Sequence, residues 1–279
     1  MSTQDDLVQP AEDKWVVLLD RPGTIPEAQI PAVGRLLAQV CSIPFADGTR
    51  TAHRCQGILA LDLGEAQAHQ VASGLQDLGV PGSPRLESSL RALPRAVESR
   101  RVRMDEERFA PALGVEKDLG EWGWNDVAAI CAGEIETVTT AVKVTQRGQS
   151  TTEAIARAAL LTACTGIPLA PGPRPGTTER KEVVTAQLLL DIVTVRPEMH
   201  LRIHGQRFDY SLLGEQKELS HVPNDAALVR LLLSFARHAA SNAPPEVAAA
   251  AQSPPWEKFS DQATFDDRVR WLWQIWTPA

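Results

Sequence analysis

The sequence predicts an α+β protein: a small βααβαβ module followed by a β-rich domain closed by a helix. Three observations predict it. Between residues 14 and 90, short β-favouring runs alternate with segments whose apolar residues recur at helical spacing. Beyond residue 101, strand-like runs dominate, with a turn signal at Arg196-Pro197-Glu198. A single one-sided helix then follows, carrying Leu228, Leu231, Leu232 and Phe235.

The elements of the module follow in order. Residues 1–13 are polar and acidic and read as a disordered leader. Lys14 to Leu19 (KWVVLL) is a buried strand, rich in β-favouring Trp and Val, and Arg21-Pro22-Gly23 ends it. A helix with Val33, Leu36, Leu37 and Val40 at i, i+3, i+4 and i+7 follows, closed at Pro44. Thr49 to Cys55 forms a short second helix. Gly57 to Leu63 (GILALDL) is the second strand. Asp62 and Glu65, three apart, make a capping box for a third helix. That helix buries Ala68, Val71, Leu75 and Leu78, with Gly79 at its C′ position. A short strand at Arg85 to Glu87 completes the unit.

Three stretches, Val16-Val17-Leu18-Leu19, Gly57-Ile58-Leu59 and Gly64-Glu65-Ala66-Gln67-Ala68 running to Leu78-Gly79-Val80, stand in the order and spacing of a known module. Over residues 14–90 the chain resembles the C-terminal domain of the bacterial ribosomal stalk protein. It is similar also to the protease-adaptor domain of the Clp system. The resemblance implies the fold and a docking role. The stalk family recruits translation factors through a lysine-rich helical surface. Residues 24–56 here contain no lysine; their arginines are Arg35, Arg50 and Arg54, and Pro44 to Gly48 replaces the family's Gly- and Lys-rich turn. No functional residue is carried over.

Residues 91–100 lie in an arginine-rich stretch (Arg91, Arg95, Arg100, with Arg101 and Arg103 beyond) and read as a basic linker. In the second part, Arg101 to Phe109 and Trp124 to Thr137 read as strands, Glu153 to Cys164 as an alanine-rich helix, and Pro168 to Thr178 as a Pro/Gly-rich loop. Glu182 to Val195 and Met199 to Leu213 form a strand pair. Asn224 or Asp225 caps the helix that follows. Trp124-Asn125-Asp126-Val127-Ala128-Ala129-Ile130 resembles the strand entry of pleckstrin-homology-like barrels, and the order of strands then helix over residues 101–240 is similar to that domain. Residues 241–260 are Ala/Pro-rich and read as a linker. Residues 261–279 form a Trp-rich terminal helix with Phe265, Val269, Leu272 and Trp276 on one face. It is expected to dock on the rest of the chain, because exposed tryptophans in such number favour aggregation.

The net charge of −7 argues against general nucleic-acid binding, which needs clustered Lys and Arg. No secretory pattern opens the chain, and no run approaches the 18 or so apolar residues of a membrane span. A cytoplasmic protein with four reduced cysteines (Cys41, Cys55, Cys131, Cys164) is therefore expected.

The candidate sites have modest signals. His200 and His204 lie four apart around Arg202. The alternation with Leu201 and Ile203 makes this a strand whose imidazoles share one solvent-facing side, without the acidic context of a zinc motif. The cysteines form no CxxC pair. Cys41 and Cys55 flank the short helix and can approach each other, while Cys164 has no neighbouring base. Gly172 and Gly176 sit among prolines and match no phosphate-binding loop. Asp105-Glu106-Glu107 and Asp266-Asp267 read as solvated surface. No catalytic residue, metal ligand or cofactor is expected. The reading is a non-enzymatic interaction or adaptor protein with a protein partner. The alternative is an enzyme whose site the second domain assembles in space from Cys164, His200 or His204.

Overall fold

The computed structural model describes residues 13–113, 117–118, 120–145, 177–243 and 256–276. The fold is α+β. The chain divides into two compact units, Met1–Glu136 with Ala186–Ala279, and Thr137–Thr185.

The first elements are β1 (Trp15–Leu19), α1 (Ile30–Cys41), α2 (Phe45–Arg54), β2 (Ile58–Leu63), α3 (Glu65–Asp77) and β3 (Gly82–Leu86). This is the strand–helix–helix–strand–helix–strand order that the periodicities predict. β1 is central and antiparallel to both neighbours, giving the sheet order β2-β1-β3. Val17, Leu19, Leu59 and Leu63 join Val33, Leu37, Val40, Ala68, Val71 and Leu75 in one buried core. Gly79, at φ 73°, ends α3. Its N–H donates to Gln76 O and that of Val80 to Leu75 O, the paired bonds of a Schellman turn.

Two local details differ from expectation. The short helix begins at Phe45, because the Pro44 carbonyl accepts from Asp47 and Gly48 N–H and so opens α2. The cap of α3 is Gly64, whose N–H donates to the Gln67 side chain at 3.1 Å, and not Asp62 with Glu65. Asp62 lies instead at φ 65°, where the β1–β2 register slips by two residues between Trp15↔Leu63 and Val17↔Leu59.

The rest comprises β4 (Ala96–Glu98), β5 (Arg101–Met104), β6 (Arg108–Leu113), β7 (Lys117–Asp118), β8 (Trp122–Gly123), β9 (Val127–Thr145), β10 (Thr177–Val195), β11 (Glu198–His204), α4 (His221–Phe235), β12 (Ala240–Ser241), β13 (Lys258–Phe259) and α5 (Gln262–Ile275). One sheet runs β12-β9-β10-β11-β4, with β13 also on β9; another runs β5-β6-β7, with β8 on β6. β4 lies within the arginine-rich stretch and pairs parallel with β11. The distal parts of β9 and β10 belong to the second unit. The expected helix over 153–164 and most of the loop over 168–178 lie outside the described residues.

The expected strand Arg101 to Phe109 is a hairpin. Asp105 breaks it by accepting from the N–H groups of Glu107 and Arg108, both at 2.8 Å. The turn at Arg196-Pro197 joins β10 and β11 as predicted, with Val195 opposite Glu198. β11 stops at His204, short of Leu213. Asp209 then accepts from Ser211 N–H and starts a 3-10 turn.

α5 holds the main unit together. Phe265, Val269, Trp271, Leu272 and Trp273 are buried in a cluster that takes Leu18 and Ile58 from the module and Ala129, Cys131, Leu189 and Val193 from the large sheet. The Trp271 indole donates to Leu19 O at 2.8 Å. A Cβ added at Gly23 or Gly57 would overlap that indole, and both glycines have positive φ. Arg268 donates to Glu257 and to Pro22 O. The α5 C-terminus is closed by Arg91, whose guanidinium reaches the carbonyls of Trp273, Gln274 and Trp276 and lies 4.6 Å from the Trp273 ring centroid. The Trp-rich tail thus docks in cis.

Removing this anchor should be costly. Trp271→Ala is expected to lower unfolding free energy by about 3–5 kcal/mol. Gly57→Ala, strained and overlapping, should lose at least about 1 kcal/mol. Urea denaturation followed by tryptophan fluorescence measures both.

Candidate functional site

The described cavity with the dimensions of a ligand site is a cleft of about 500 Å³ on the module. The end of α1 contributes Leu37 and Cys41, and the following turn Ile43. α2 gives Thr51 and Arg54, with Cys55 just beyond. β2 supplies Ile58, Asp62 and Leu63, and α3 supplies Gln67. Most of this lining is apolar: Leu37, Cys55 and Leu63 belong to the module core, Cys41 packs against it, and Ile43 and Ile58 complete the wall. Its polar groups come from three elements, Thr51 and Arg54 from α2, Asp62 from β2 and Gln67 from α3. Asp62 is turned to the rim by its left-handed backbone, a conformation Asp adopts more readily than most residues. Lys14 Nζ lies 2.5 Å from its Oδ1, and that bond and charge raise the lysine above its usual range. Gln67 donates to Val40 O at 3.2 Å while accepting from Gly64 N–H.

Both expected cysteine neighbours line the cleft. Burial pushes the Cys55 thiol up to about 11 and raises that of Cys41. Protonated thiols are poor nucleophiles, so their contribution here is apolar volume. Cys131 is fully buried on β9, and burial raises its thiol as well. Cys164, Gly172 and Gly176 lie outside the described residues.

The histidine pair is brought onto one strand face, as its alternation predicts, but that face is not solvated. His200 and Arg202 are 2% and 5% exposed. The reason is long-range: α5 covers this side of the sheet, and Asp191 on β10 stands opposite Arg202. Arg202 Nε and Nη2 donate to the two Asp191 oxygens at 2.9 and 2.6 Å, and Nη2 reaches Asp266 on α5 at 2.5 Å. His200 Nε2 lies 2.5 Å from Asp191 Oδ2 and Nδ1 3.1 Å from Pro94 O. Asp266, expected on solvated surface, is a partner in this network; Asp267 is exposed.

His204 is separate. Its Nδ1 accepts from the Gln187 amide at 2.7 Å and its Nε2 faces Glu98 at 3.2 Å. Burial is the main cause that lowers this imidazole below its ordinary value. Neither histidine has a free nitrogen directed at a cavity. Among the described residues, no group of three or more His, Cys, Asp or Glu side chains is arranged to hold a metal ion. No described helix is long and apolar enough to cross a membrane.

Sequence reasoning missed one buried pair. Tyr210 Oη faces Asp225 Oδ1 and also lies 3.0 Å from Gly205 O. A phenol has one proton to donate, so two acceptors compete for it. Protonation of Asp225 resolves the competition by adding a second donor. Burial accordingly raises Asp225 from 3.8 to about 6, against the bond from Tyr210 and the charge of His221, with Glu134 adding to the rise. The expected helix cap at Asn224 or Asp225 is thus inside the first turns of α4. Asn224 instead clamps the backbone of Glu218 through both amide ends, each at 2.8 Å.

No family model, no curated protein and no solved structure matches this chain.

Arg202→Ala leaves Asp191 buried without its guanidinium and is expected to destabilise by about 3–5 kcal/mol. Asp266→Ala, at a carboxylate 44% exposed, should change stability by less than about 1 kcal/mol. Chemical denaturation at pH 7 separates the two. Asp225 gives a pH dependence. Its folded value lies above the ordinary 3.8, so the folded protein holds the proton more tightly. Stability therefore rises as pH falls through 6 towards 4, by up to about 3 kcal/mol. Asp225→Asn should remove that part of the rise in denaturation curves taken from pH 7 to 4.

Proposed function

We propose that the protein is a non-catalytic binding protein of adaptor type, which holds a segment of a protein client in the cleft between α1, α2 and β2. The observation that carries the reading is the cleft itself. It is of ligand size, mainly apolar, and equipped with a few convergent polar groups, the usual make-up of a recognition site. Its chemistry favours holding over reacting. The thiols are protonated, the carboxylate at its rim is paired with Lys14, and no histidine lines it.

The setting supports the same reading. β2 is an edge strand of the order β2-β1-β3, so an extended segment can add to it while side chains enter the cleft. The resemblance of residues 14–90 to ribosomal-stalk and Clp-adaptor modules, both docking domains, points the same way. The alternative of an enzyme assembled around His200 or His204 draws no support from their geometry, because both rings are already bonded on each side.

Thr51 is exposed on α2 at the cleft, so Thr51→Trp fills the mouth without entering the core. Affinity capture from the native lysate should retain a client on the wild-type chain and lose it on this variant, with an unchanged melting curve. Retention of the same proteins by both, or of none by either, would refute the reading.

A further inference from the structure

The hydrogen-bonding capacity of the cleft is unevenly spent, and the unspent part identifies a ligand class. Gln67 uses both ends of its amide within the module. Asp62 is neutralised by Lys14 at 2.5 Å. The two thiols are protonated and weak donors. What remains is Thr51 and Arg54, three residues apart and therefore on one face of α2.

Among the described residues, the Arg54 guanidinium makes no hydrogen bond or ion pair. The acid that senses its charge is Asp261. That carboxylate already accepts from Thr264 N–H and Oγ1, each at 2.8 Å, and from Ser260 Oγ at 3.2 Å. A guanidinium has five donors and no acceptor, in a fork that matches a carboxylate. The cleft therefore offers an anion site at the edge of an apolar pocket. A cationic ligand is less well served here, because the acid at the rim, Asp62, already has Lys14 as its partner.

On the binding reading above, we propose that the cleft recognises a polypeptide C-terminus ending in an aliphatic residue. The α-carboxylate pairs with Arg54, with the Thr51 hydroxyl beside it, and the last side chain enters the pocket formed by Leu37, Ile58 and Leu63. A free aliphatic carboxylate shares this head-and-tail chemistry. The edge position of β2 favours the peptide, whose own amides can pair with that strand.

The test uses the full chain and a fluorescein-labelled hexapeptide ending in leucine, as the free acid and as the C-terminal amide, with octanoate in a separate calorimetric titration. The free acid should bind at least about tenfold tighter than the amide, as expected of a charge-assisted hydrogen bond. Arg54→Gln should remove that difference while leaving the melting curve unchanged. Equal binding of acid and amide, or a preference that survives Arg54→Gln, overturns the proposal. So does octanoate binding without peptide binding, which assigns the cleft to a small amphiphile. If no probe binds but Thr51→Trp still loses its captured client, the carboxylate inference falls and the binding reading stands. If Thr51→Trp retains the client, the binding reading itself falls.

Discussion

The Trp271 indole sits where the module has no side chains of its own. Gly23 and Gly57 leave the space, and the Leu19 carbonyl accepts the indole N–H. A three-stranded sheet has two faces, and the helices α1 to α3 cover one. The other would present Leu18 and Ile58 to water; here α5 takes it. The same helix closes one side of the large sheet, so a single amphipathic segment joins the module's open face and that sheet in one buried cluster. It can do so because its buried positions occupy more than half its circumference, wider than the stripe of an ordinary surface helix.

A helix so enclosed must satisfy its polar groups, and it does so with specific partners. Arg91 answers the last carbonyls of α5, and Asp261 accepts from the N–H of Thr264 at its start. Gln274 brackets the backbone N–H and C=O of Arg91, at 2.9 and 2.8 Å. Asn242 does the same to Ala132, both at 2.9 Å. Asp191, Arg202 and His200 form a further network, extended to Asp266 and to the Pro94 carbonyl. The buried polar groups in these networks bond to one another and to nearby backbone, which makes them structural. The cleft differs in kind: it lies at the surface and leaves a guanidinium and a hydroxyl uncommitted. That contrast, more than any motif, separates supporting residues from a candidate site.

Much of the module was legible in the sequence because its signals are local. Val33, Leu37 and Val40 declare a helix by spacing alone, and Gly79 marks the end of α3 by its freedom at positive φ. The alternation of His200, Leu201, Arg202 and Ile203 declares a strand. Which side of that strand meets water was not legible, since it depends on α5, some 60 residues later, and on Asp191 across the hairpin. Asp62 misled for a related reason. It has the right spacing from Glu65 for a cap, but the register slip in the β1–β2 pair carries it to the cleft rim. Of the cleft, the proximity of Cys41 and Cys55 could be inferred from the short helix between them. The role of Arg54 could not, because a spare guanidinium is recognised only once every nearby acid has been paired.

The dependence on α5 also bears on how the chain is made. Leu19 and Trp271 are separated by 252 positions. At roughly 5–20 residues per second, a ribosome needs on the order of tens of seconds to travel between them. Throughout that interval the nascent module has its three helices and three strands but an uncovered sheet face, bearing Leu18 and Ile58. The two glycines keep the later docking position open, and they also leave backbone exposed. Newly begun chains therefore carry a sticky surface that finished chains lack, and crowded polysomes are where that difference would be felt.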